Sequence, residues 1–289
     1  MKKVTLMANF NIREKASAAL TVAEKLISFG AEIIISELYK DRIFRMHAHR
    51  AEFTYKSPDE LYRGVDMVVV LGGDGFMLEA ARRACVEDTP ILGINLGRVG
   101  YMTELEMDEL DLIGEIFKGD YTIDERALLS VDVVSKDGRV RSSSYALNEA
   151  VVANGSTARI IDLRLFDNGV LVSDFRADGL VVATPTGSTA YSLSAGGPIV
   201  DPKLSCFCVT PICPHSLQAR PLVFPDTARL EVNNICVREK LLHLTLDGRV
   251  TYDLYHGDTA VITKSKLTTK LIRVKDRSFY AKIRTKKFL

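Results

Sequence analysis

Four features that would point to particular kinds of protein are missing from this sequence. Its 38 basic and 37 acidic side chains nearly cancel, and the net charge of +1 favours neither nucleic acid nor an anionic membrane as a partner. The longest apolar runs, such as Met67–Leu71, fall far short of the ~18 residues of a membrane-spanning helix. The first ten residues lack a signal-peptide hydrophobic region, and the five cysteines lack disulfide-framework spacing. We therefore expect a cytoplasmic protein that binds no nucleic acid and no membrane.

Two familiar nucleotide-binding motifs are also missing. The fingerprint G-x-G-x-x-G should follow the first strand, but Met7–Phe10 occupies that place, and the P-loop pattern G-x-x-x-x-G-K-[ST] does not occur. The chain is therefore not an ordinary Rossmann dehydrogenase. Its 289 residues are too many for one typical core, and a composition that is 47% hydrophobic and 26% charged is that of a globular protein. We expect two domains.

The chain is organised around a glycine-rich turn at residues 72–75. The apolar run Met67–Leu71 before it predicts a strand buried on both faces, and apolar residues at helical spacing after it predict a helix. Gly72, Gly73 and Gly75 allow the backbone to turn sharply and to approach a ligand closely. Because the N-terminus of a helix favours anions, these glycines are predicted to bind phosphate.

Asp74 is the unusual member of this turn. A carboxylate repels phosphate, so Asp74 is predicted to act on another group, such as a hydroxyl or a metal ion. The alternative is an ordinary strand-to-helix turn in which Asp74 is the N-cap. The local sequence alone favours this alternative, and residues elsewhere in the chain have to decide between the two.

Strands alternate with helices through residues 1–125, which predicts a parallel α/β sheet. The polar stretch 37–60 is an exception and is predicted to be irregular. Ligands of such sheets bind beyond the carboxyl ends of the strands, where Asp74 and Asn95 are expected. From about residue 126 the pattern changes to strand-like runs separated by hairpin turns such as Asp247-Gly248, which predicts a mostly antiparallel β domain. The basic segment 271–289 is either a solvated tail or a segment that packs back on the first domain.

Two polar stretches of the second half indicate ligand recognition. Asn148-Glu149 lies inside an otherwise apolar run, where polar side chains need partners from the protein or from a ligand. Residues 184–198 place hydroxyls and small side chains in a turn after a buried strand, which suits ribose, amide or phosphate recognition. Neither half alone has both a base and ligand-reading hydroxyls, so residues of both halves are expected to contact the ligand.

A cluster of possible metal ligands is interpreted differently. The spacing of its four members matches no standard zinc site, and apolar neighbours make the stretch resemble a buried strand. We expect small core side chains rather than metal ligands at Cys206, Cys208, Cys213 and His215.

With these stretches together, the sequence resembles the NAD kinases, most closely the bacterial enzymes, over nearly its whole length. The Gly-Gly-Asp-Gly motif alone is weakly specific, because diacylglycerol-kinase-like lipid kinases share it, whereas residues 184–198 in order after Asn148-Glu149 are strongly specific. The motifs that carry the resemblance are Gly72–Gly75, Gly93–Gly97, Asn148-Glu149, Asp178–Leu180, Thr184–Pro198 and Pro211–Val223.

The resemblance implies a fold that is α/β plus all-β. An α/β domain at residues 1–125 would carry the Gly-Gly-Asp-Gly loop, a β-sandwich at 126–270 would bind NAD, and the segment 271–289 would pack back on the first domain. It also implies transfer of the γ-phosphoryl group of ATP to the 2′-hydroxyl of the adenosine ribose of NAD. Asp74 would be the catalytic residue, and a divalent metal ion, Mg²⁺, would arrive with ATP.

The resemblance further implies a set of NAD-contacting residues and an oligomer. Family members are usually homodimers or homotetramers whose NAD sites are completed by a neighbouring subunit. Phe76 departs from the family, in which a small or polar residue commonly follows the glycine motif, and Tyr101 replaces a common phenylalanine. The implied contacts to NAD are Asp74, Gly75, Asn148, Glu149, Arg159, Arg176, Asp178, Thr189, Ala190, Tyr191, Ser192, Leu193, Ser194 and Arg249.

Three alternatives from other classes remain at this point. A diacylglycerol-type lipid kinase would lack the dinucleotide pocket that Asn148-Glu149 and residues 184–198 predict. A non-catalytic NAD(P)-sensing module would have lost the base, yet Asp74 is present. A metal-dependent hydrolase using Asp74 lacks a second cluster of carboxylates.

Overall fold

The computed structural model describes residues 2–46, 52–97, 100–155, 159–238, 240–276 and 278–285. The α-helices of these residues are α1 (Arg13–Ser28), α2 (Lys40–Met46), α3 (Asp74–Ala84), α4 (Ile113–Lys118), α5 (Tyr191–Ser194) and α6 (Phe279–Thr285). Short 3-10 helices lie at Glu37–Tyr39, Met107–Leu112 and Gly187–Thr189. The strands are β1 (Lys3–Ala8), β2 (Glu32–Ser36), β3 (Thr54–Lys56), β4 (Met67–Leu71), β5 (Ile91–Ile94), β6 (Thr122–Val134), β7 (Val140–Ala146), β8 (Glu149–Ala153), β9 (Ile161–Asp167), β10 (Val170–Ala177), β11 (Gly179–Ala183), β12 (Cys206–Ile212), β13 (Leu222–Pro225), β14 (Leu230–Asn234), β15 (Leu241–Leu246), β16 (Val250–Tyr255) and β17 (Thr259–Arg273).

Residues 1–125 and 267–289 form one compact unit around a parallel sheet. The strands of this unit follow the order β5-β4-β1-β2-β3. Central strand β4 is buried at all five positions, as its continuous apolar run requires, and it pairs in register with both neighbours through Val4↔Met67 and Val68↔Ile91. The predicted parallel α/β architecture is confirmed.

The C-terminal segment belongs to this first unit. Leu271, near the end of β17, pairs in parallel with Ile91 of β5. The backbone N–H groups of Val274 and Lys275 then donate to the carboxylate of Glu104 at 3.1 and 2.8 Å. The segment therefore returns to the first domain, and the alternative of a solvated tail is wrong for its described residues.

Residues 126–266 form the second unit, a β-sandwich. One sheet has the antiparallel order β13-β12-β11-β8-β15-β16, and the other pairs β10, β9, β14 and the beginning of β17. Burial alternates with period two along β9, which leaves one face for the core. Buried residues of both sheets, among them Leu163, Val182 and Leu244, form one hydrophobic cluster. The predicted all-β domain is confirmed.

Several local features differ from the predictions. Strand β3 and helix α2 lie in a stretch whose polar composition predicted irregular structure. Cys208 is buried within β12, as expected, and Cys206 is half-buried, but Cys213 and His215 are exposed after this strand, so the core assignment is wrong for Cys213 and His215. No helix within the described residues is long and apolar enough to span a membrane.

Candidate active site

Asp74 stands at the carboxyl end of β4, where the glycine turn passes into α3. Gly73 is the N-cap of α3 and Asp74 is its first residue, so the alternative that Asp74 is the N-cap is wrong. The N–H group of Gly72 donates to the carbonyl of Ile94 at 2.9 Å and holds the turn against β5. The carboxyl ends of β4 and β5 therefore lie side by side at this turn.

The Asp74 carboxylate is oriented by two backbone amides from the segment that follows β5. The N–H of Tyr101 donates to Oδ2 at 2.9 Å, and the N–H of Met102 donates to Oδ1 at 3.1 Å. A carboxylate has about four acceptor positions. Both oxygens are thus fixed in direction and still have acceptor positions left for a further donor.

Gly100 is required by this arrangement. A Cβ atom at Gly100 would overlap Oδ1 of Asp74 and approach the hydroxyl of Thr103 to 3.2 Å. Sequence reasoning missed the contribution of residues 100–102. The available signal was the second glycine of the Gly97-x-x-Gly100 spacing after a buried strand.

The glycines predicted to bind phosphate have different surroundings. A Cβ at Gly72 would contact the ring of Phe76 at 3.3 Å, so this glycine is needed for packing against the half-buried Phe76. Apart from its two chain neighbours, no described residue comes within 4 Å of the Cβ position of Gly73, and Gly75 is exposed. The accessible part of the turn is therefore at Gly73 and Gly75.

Asn148 and Glu149 form a second polar cluster, in the other unit, where β8 begins. The two residues are only 7% and 6% exposed. Oδ1 of Asn148 and Oε2 of Glu149 are buried without a hydrogen-bond partner among the described residues. The Glu149 carboxyl group also accepts a hydrogen bond from the backbone N–H of Tyr191. An unsatisfied buried acceptor costs roughly 1–3 kcal/mol. Two such acceptors on adjacent residues indicate a site that a ligand with hydrogen-bond donors completes.

Asp247 holds this second cluster in place. Its carboxylate accepts hydrogen bonds from three successive backbone amides, those of Leu147 and Asn148 at 2.8 Å and that of Glu149 at 3.1 Å. Burial raises the pKa of Asp247 despite these three donors, which lower it. Sequence reasoning predicted only a hairpin turn at Asp247. The structure has this turn, in which Asp247 adopts a φ of 51°.

The surroundings of Glu149 favour its neutral, protonated form. Burial, followed by the nearby Asp247 carboxylate, raises the pKa of Glu149 to about 8, and the Tyr191 N–H opposes the shift. Its carboxyl group can therefore donate as well as accept a hydrogen bond. Such strongly perturbed carboxyl groups in buried polar clusters are typical of functional sites.

The turn after β11 packs directly on the Asn148 backbone. Oγ1 of Thr184 donates to the carbonyl of Leu147 at 2.6 Å, and a Cβ at Gly187 would overlap the carbonyl of Asn148. The hydroxyl of Ser192 is fully buried and bonds that of Thr210 at 3.1 Å. These hydroxyls hold the turn together rather than point to a ligand, which sequence reasoning did not distinguish.

The remaining predicted NAD contacts of this unit lie at both ends of strands β8 and β11. The antiparallel register pairs Glu149 with Ala183 at one end and Ala153 with Gly179 at the other, about 14 Å away at ~3.4 Å per residue. One group follows the end at Glu149 and consists of exposed Tyr191, Ser194 and Arg249 and half-buried Thr189, Ala190 and Leu193. The other group adjoins the opposite end and consists of exposed Arg159, Arg176 and Asp178. The structure therefore brings these residues together as two groups.

Comparison with known proteins identifies the class of protein to which this fold and these polar clusters belong. A model of the ATP-NAD kinase N-terminal domain matches residues 4–121, and a model of the ATP-NAD kinase C-terminal domain matches residues 147–274. An NAD kinase from Citrifermentans bemidjiense is 38% identical over 287 residues, which cover 99% of this chain and 98% of that protein.

Two solved structures are also similar. An NAD kinase from Archaeoglobus fulgidus in complex with ATP is 26% identical with a TM-score of 0.72, and the match covers 99% of this chain and 98% of the other. A yeast NADH kinase complexed with NADH has the same fold, with a TM-score of 0.90 at 23% identity over 98% of this chain and 86% of the other.

The chain therefore belongs to the ATP-NAD kinase family, and it is an enzyme that phosphorylates NAD with ATP. This confirms the resemblance predicted from the motifs. The lipid-kinase, NAD(P)-sensing and hydrolase alternatives are wrong.

Proposed function

We propose that this enzyme transfers the γ-phosphoryl group of ATP to the 2′-hydroxyl of the adenosine ribose of NAD, with Asp74 as its catalytic residue. The observation that carries the proposal is the Asp74 carboxylate, which the amides of Tyr101 and Met102 orient beside the glycine turn. A carboxylate fixed at both oxygens is suited to aligning one hydroxyl at hydrogen-bond distance.

The reaction then depends mainly on positioning and charge neutralisation. The ribose oxygen forms a bond to the γ-phosphorus while the bond from that phosphorus to the β,γ-bridging oxygen breaks. Asp74 accepts the hydroxyl proton and releases it to solvent, and ADP leaves. Gly73 and Gly75 let the phosphates approach the start of α3. Gly72, the third glycine of this turn, packs against Phe76.

Mg²⁺ is proposed to enter with ATP and to neutralise charge on its phosphates. No group of three or more His, Cys, Asp or Glu side chains in the described residues is arranged to hold a metal ion. An ion that arrives with ATP would be held largely by phosphate and water oxygens, which is the usual way in which Mg²⁺ binds.

Asn148 and Glu149 are proposed to bind ribose hydroxyls of NAD. The unpartnered acceptors on these two adjacent side chains match the two donors that vicinal hydroxyls supply. Residues Thr189–Ser194 and Arg249 would complete this part of the site. Because the Ser192 hydroxyl is bonded to Thr210, we assign Ser192 a backbone contact and leave side-chain contacts to exposed Tyr191 and Ser194.

Arg159, Arg176 and Asp178 are proposed to contact NAD in a neighbouring subunit of a homodimer or homotetramer. Their separation from Glu149 by about 14 Å along β11 supports this assignment, because a second part of the dinucleotide or a second molecule is needed to reach them. All five cysteines are free thiols, which agrees with the proposed cytoplasmic location.

Asp74→Asn tests the proposed catalytic role. Turnover should fall by roughly 10²–10⁴-fold, the usual contribution of a positioned acid–base group, while NAD affinity measured by calorimetry stays within about threefold. Asp66→Asn is the matched control, since the Asp66 carboxylate also accepts two backbone amides in the same unit, those of Lys2 and Lys3. Near-wild-type turnover of Asp74→Asn would refute the proposal.

A further inference from the structure

Arg273, at the end of β17, lies in a buried network on the segment that orients Asp74. Its side chain is only 12% exposed. The guanidinium group donates to the carbonyl of Met102 at 3.0 Å, to Oε2 of Glu104 at 3.1 Å and to Oδ2 of Asp124 at 3.0 Å. A planar guanidinium can serve three fixed acceptors at once, which the single ammonium of lysine does less well.

Met102 connects this network to Asp74. Its N–H group donates to Oδ1 of Asp74, and its carbonyl accepts from Arg273. The residue is therefore held at both of its backbone polar groups, and the direction of its N–H depends on where its carbonyl is held. Removing the Arg273 contact frees one end of the residue that orients the Asp74 carboxylate.

Glu104 fixes the position of Arg273 in turn. The N–H of Glu104 donates to the carbonyl of Gly93 in β5 at 2.8 Å, which anchors this residue to the sheet. Its side chain is 2% exposed and accepts from Arg273 and from the backbone amides of Val274 and Lys275. The returning C-terminal segment is thus joined by a buried ion pair to the segment that binds Asp74.

We propose that Arg273 is a positioning residue for phosphoryl transfer, which acts by holding Met102 so that its N–H aligns the Asp74 carboxylate. This inference rests on the catalytic role proposed for Asp74. It gives the C-terminal segment a function in the chemical step in addition to its structural contribution to the sheet.

Arg273→Lys tests the inference, because lysine keeps the positive charge beside Glu104 but lacks the guanidinium fork. The value of kcat should fall by about 10–100-fold, since a displacement of about 1 Å at a reacting group can cost 10²-fold, while KM for ATP and for NAD changes by less than about threefold. A loss confined to KM would overturn the inference.

A double-mutant cycle shows whether Arg273 acts through Asp74. In the Asp74→Asn background, Arg273→Lys should lower the residual kcat by less than about twofold, because the aligned carboxylate is already gone. If Arg273→Lys lowers kcat by the same factor in both backgrounds, the inference is wrong although the role of Asp74 stands. If Asp74→Asn is itself active, the proposed function fails instead.

Lys275→Gln provides the matched structural control. Lys275 lies on the same segment, is also 12% exposed and forms an ion pair with Glu109, but it has no described contact with Met102. The Lys275→Gln variant should have a lower thermal midpoint and an unchanged kcat. A fall of kcat as large as that in Arg273→Lys would overturn the inference. If Arg273→Lys fails to fold, Asp124→Asn can replace it, because this change removes one partner of the guanidinium group. Asp124→Asn should lower kcat in the wild-type background and should have no such effect in the Asp74→Asn background.

Discussion

Glu149→Gln removes the titrating proton of the buried Glu149 carboxyl group and keeps its shape. The folded ligand-free protein holds this proton up to about pH 8, whereas an unfolded chain releases it near the ordinary pKa of 4.5. Between these values the folded state binds more protons than the unfolded state, so the free energy of unfolding falls as the pH rises. The stabilisation of the folded state by the protonated Glu149 is fully present below pH 4.5 and is lost as the pH rises through about 8.

The size of this effect follows from the width of the pH window. One proton changes the free energy of unfolding by about 1.4 kcal/mol per pH unit. Between pH 5 and pH 8 the free energy of unfolding of the wild-type protein should therefore fall by about 2–4 kcal/mol relative to that of Glu149→Gln. At about 2–4 °C per kcal/mol, the difference between the two thermal midpoints should change by roughly 4–16 °C in favour of glutamine.

The assay is a thermal melt of the ligand-free protein at constant ionic strength from pH 5 to pH 9. Glu14→Gln, at the exposed start of α1, is the control and should follow the wild-type profile. Parallel profiles for the wild-type protein and Glu149→Gln would refute the assignment of a buried, protonated Glu149.

Two further predictions concern residues that hold the polar clusters in place. Asp247→Asn should lower the free energy of unfolding by about 1–3 kcal/mol and raise KM for NAD more than KM for ATP, because one of its carboxylate acceptors is lost. The equivalent change at the exposed hairpin residue Asp137 should do neither, and equal effects at the two turns would contradict the assignment. Gly100→Ala should lower kcat about 10²-fold with NAD affinity preserved, because its Cβ displaces the Asp74 carboxylate. Gly114→Ala, whose Cβ would contact the Phe29 ring at 3.2 Å, should leave kcat unchanged, and an unaltered kcat in Gly100→Ala would disprove the steric argument.

Features encoded by local pattern could be predicted from the sequence. The buried run Met67–Leu71, the glycine turn and the hairpin signal at Asp247-Gly248 each depend on neighbouring residues, and each has the expected conformation. Asn148-Glu149 could be singled out because polar side chains in an apolar run need partners. Strand β3 was missed because tertiary pairing with β2 outweighs its weak local pattern.

The residues that orient the polar clusters could not be predicted in this way. Asp247 contacts Asn148 across 99 positions, and Arg273 contacts Met102 across 171. Such pairs depend on strand register and on the return of the C-terminal segment, which periodicity does not encode. The hydroxyls of residues 184–198 illustrate the opposite error, since composition suggested ligand contacts where Thr184 and Ser192 form internal hydrogen bonds.

A crystal structure with NAD bound would show whether Asp74 contacts the acceptor hydroxyl. The distance to be measured joins the nearer carboxylate oxygen of Asp74 to the 2′-oxygen of the adenosine ribose. We expect a distance of about 2.6–3.2 Å, or one bridging water. An NAD molecule that is bound with its adenosine ribose away from Asp74, in a protein that remains active, would contradict the account.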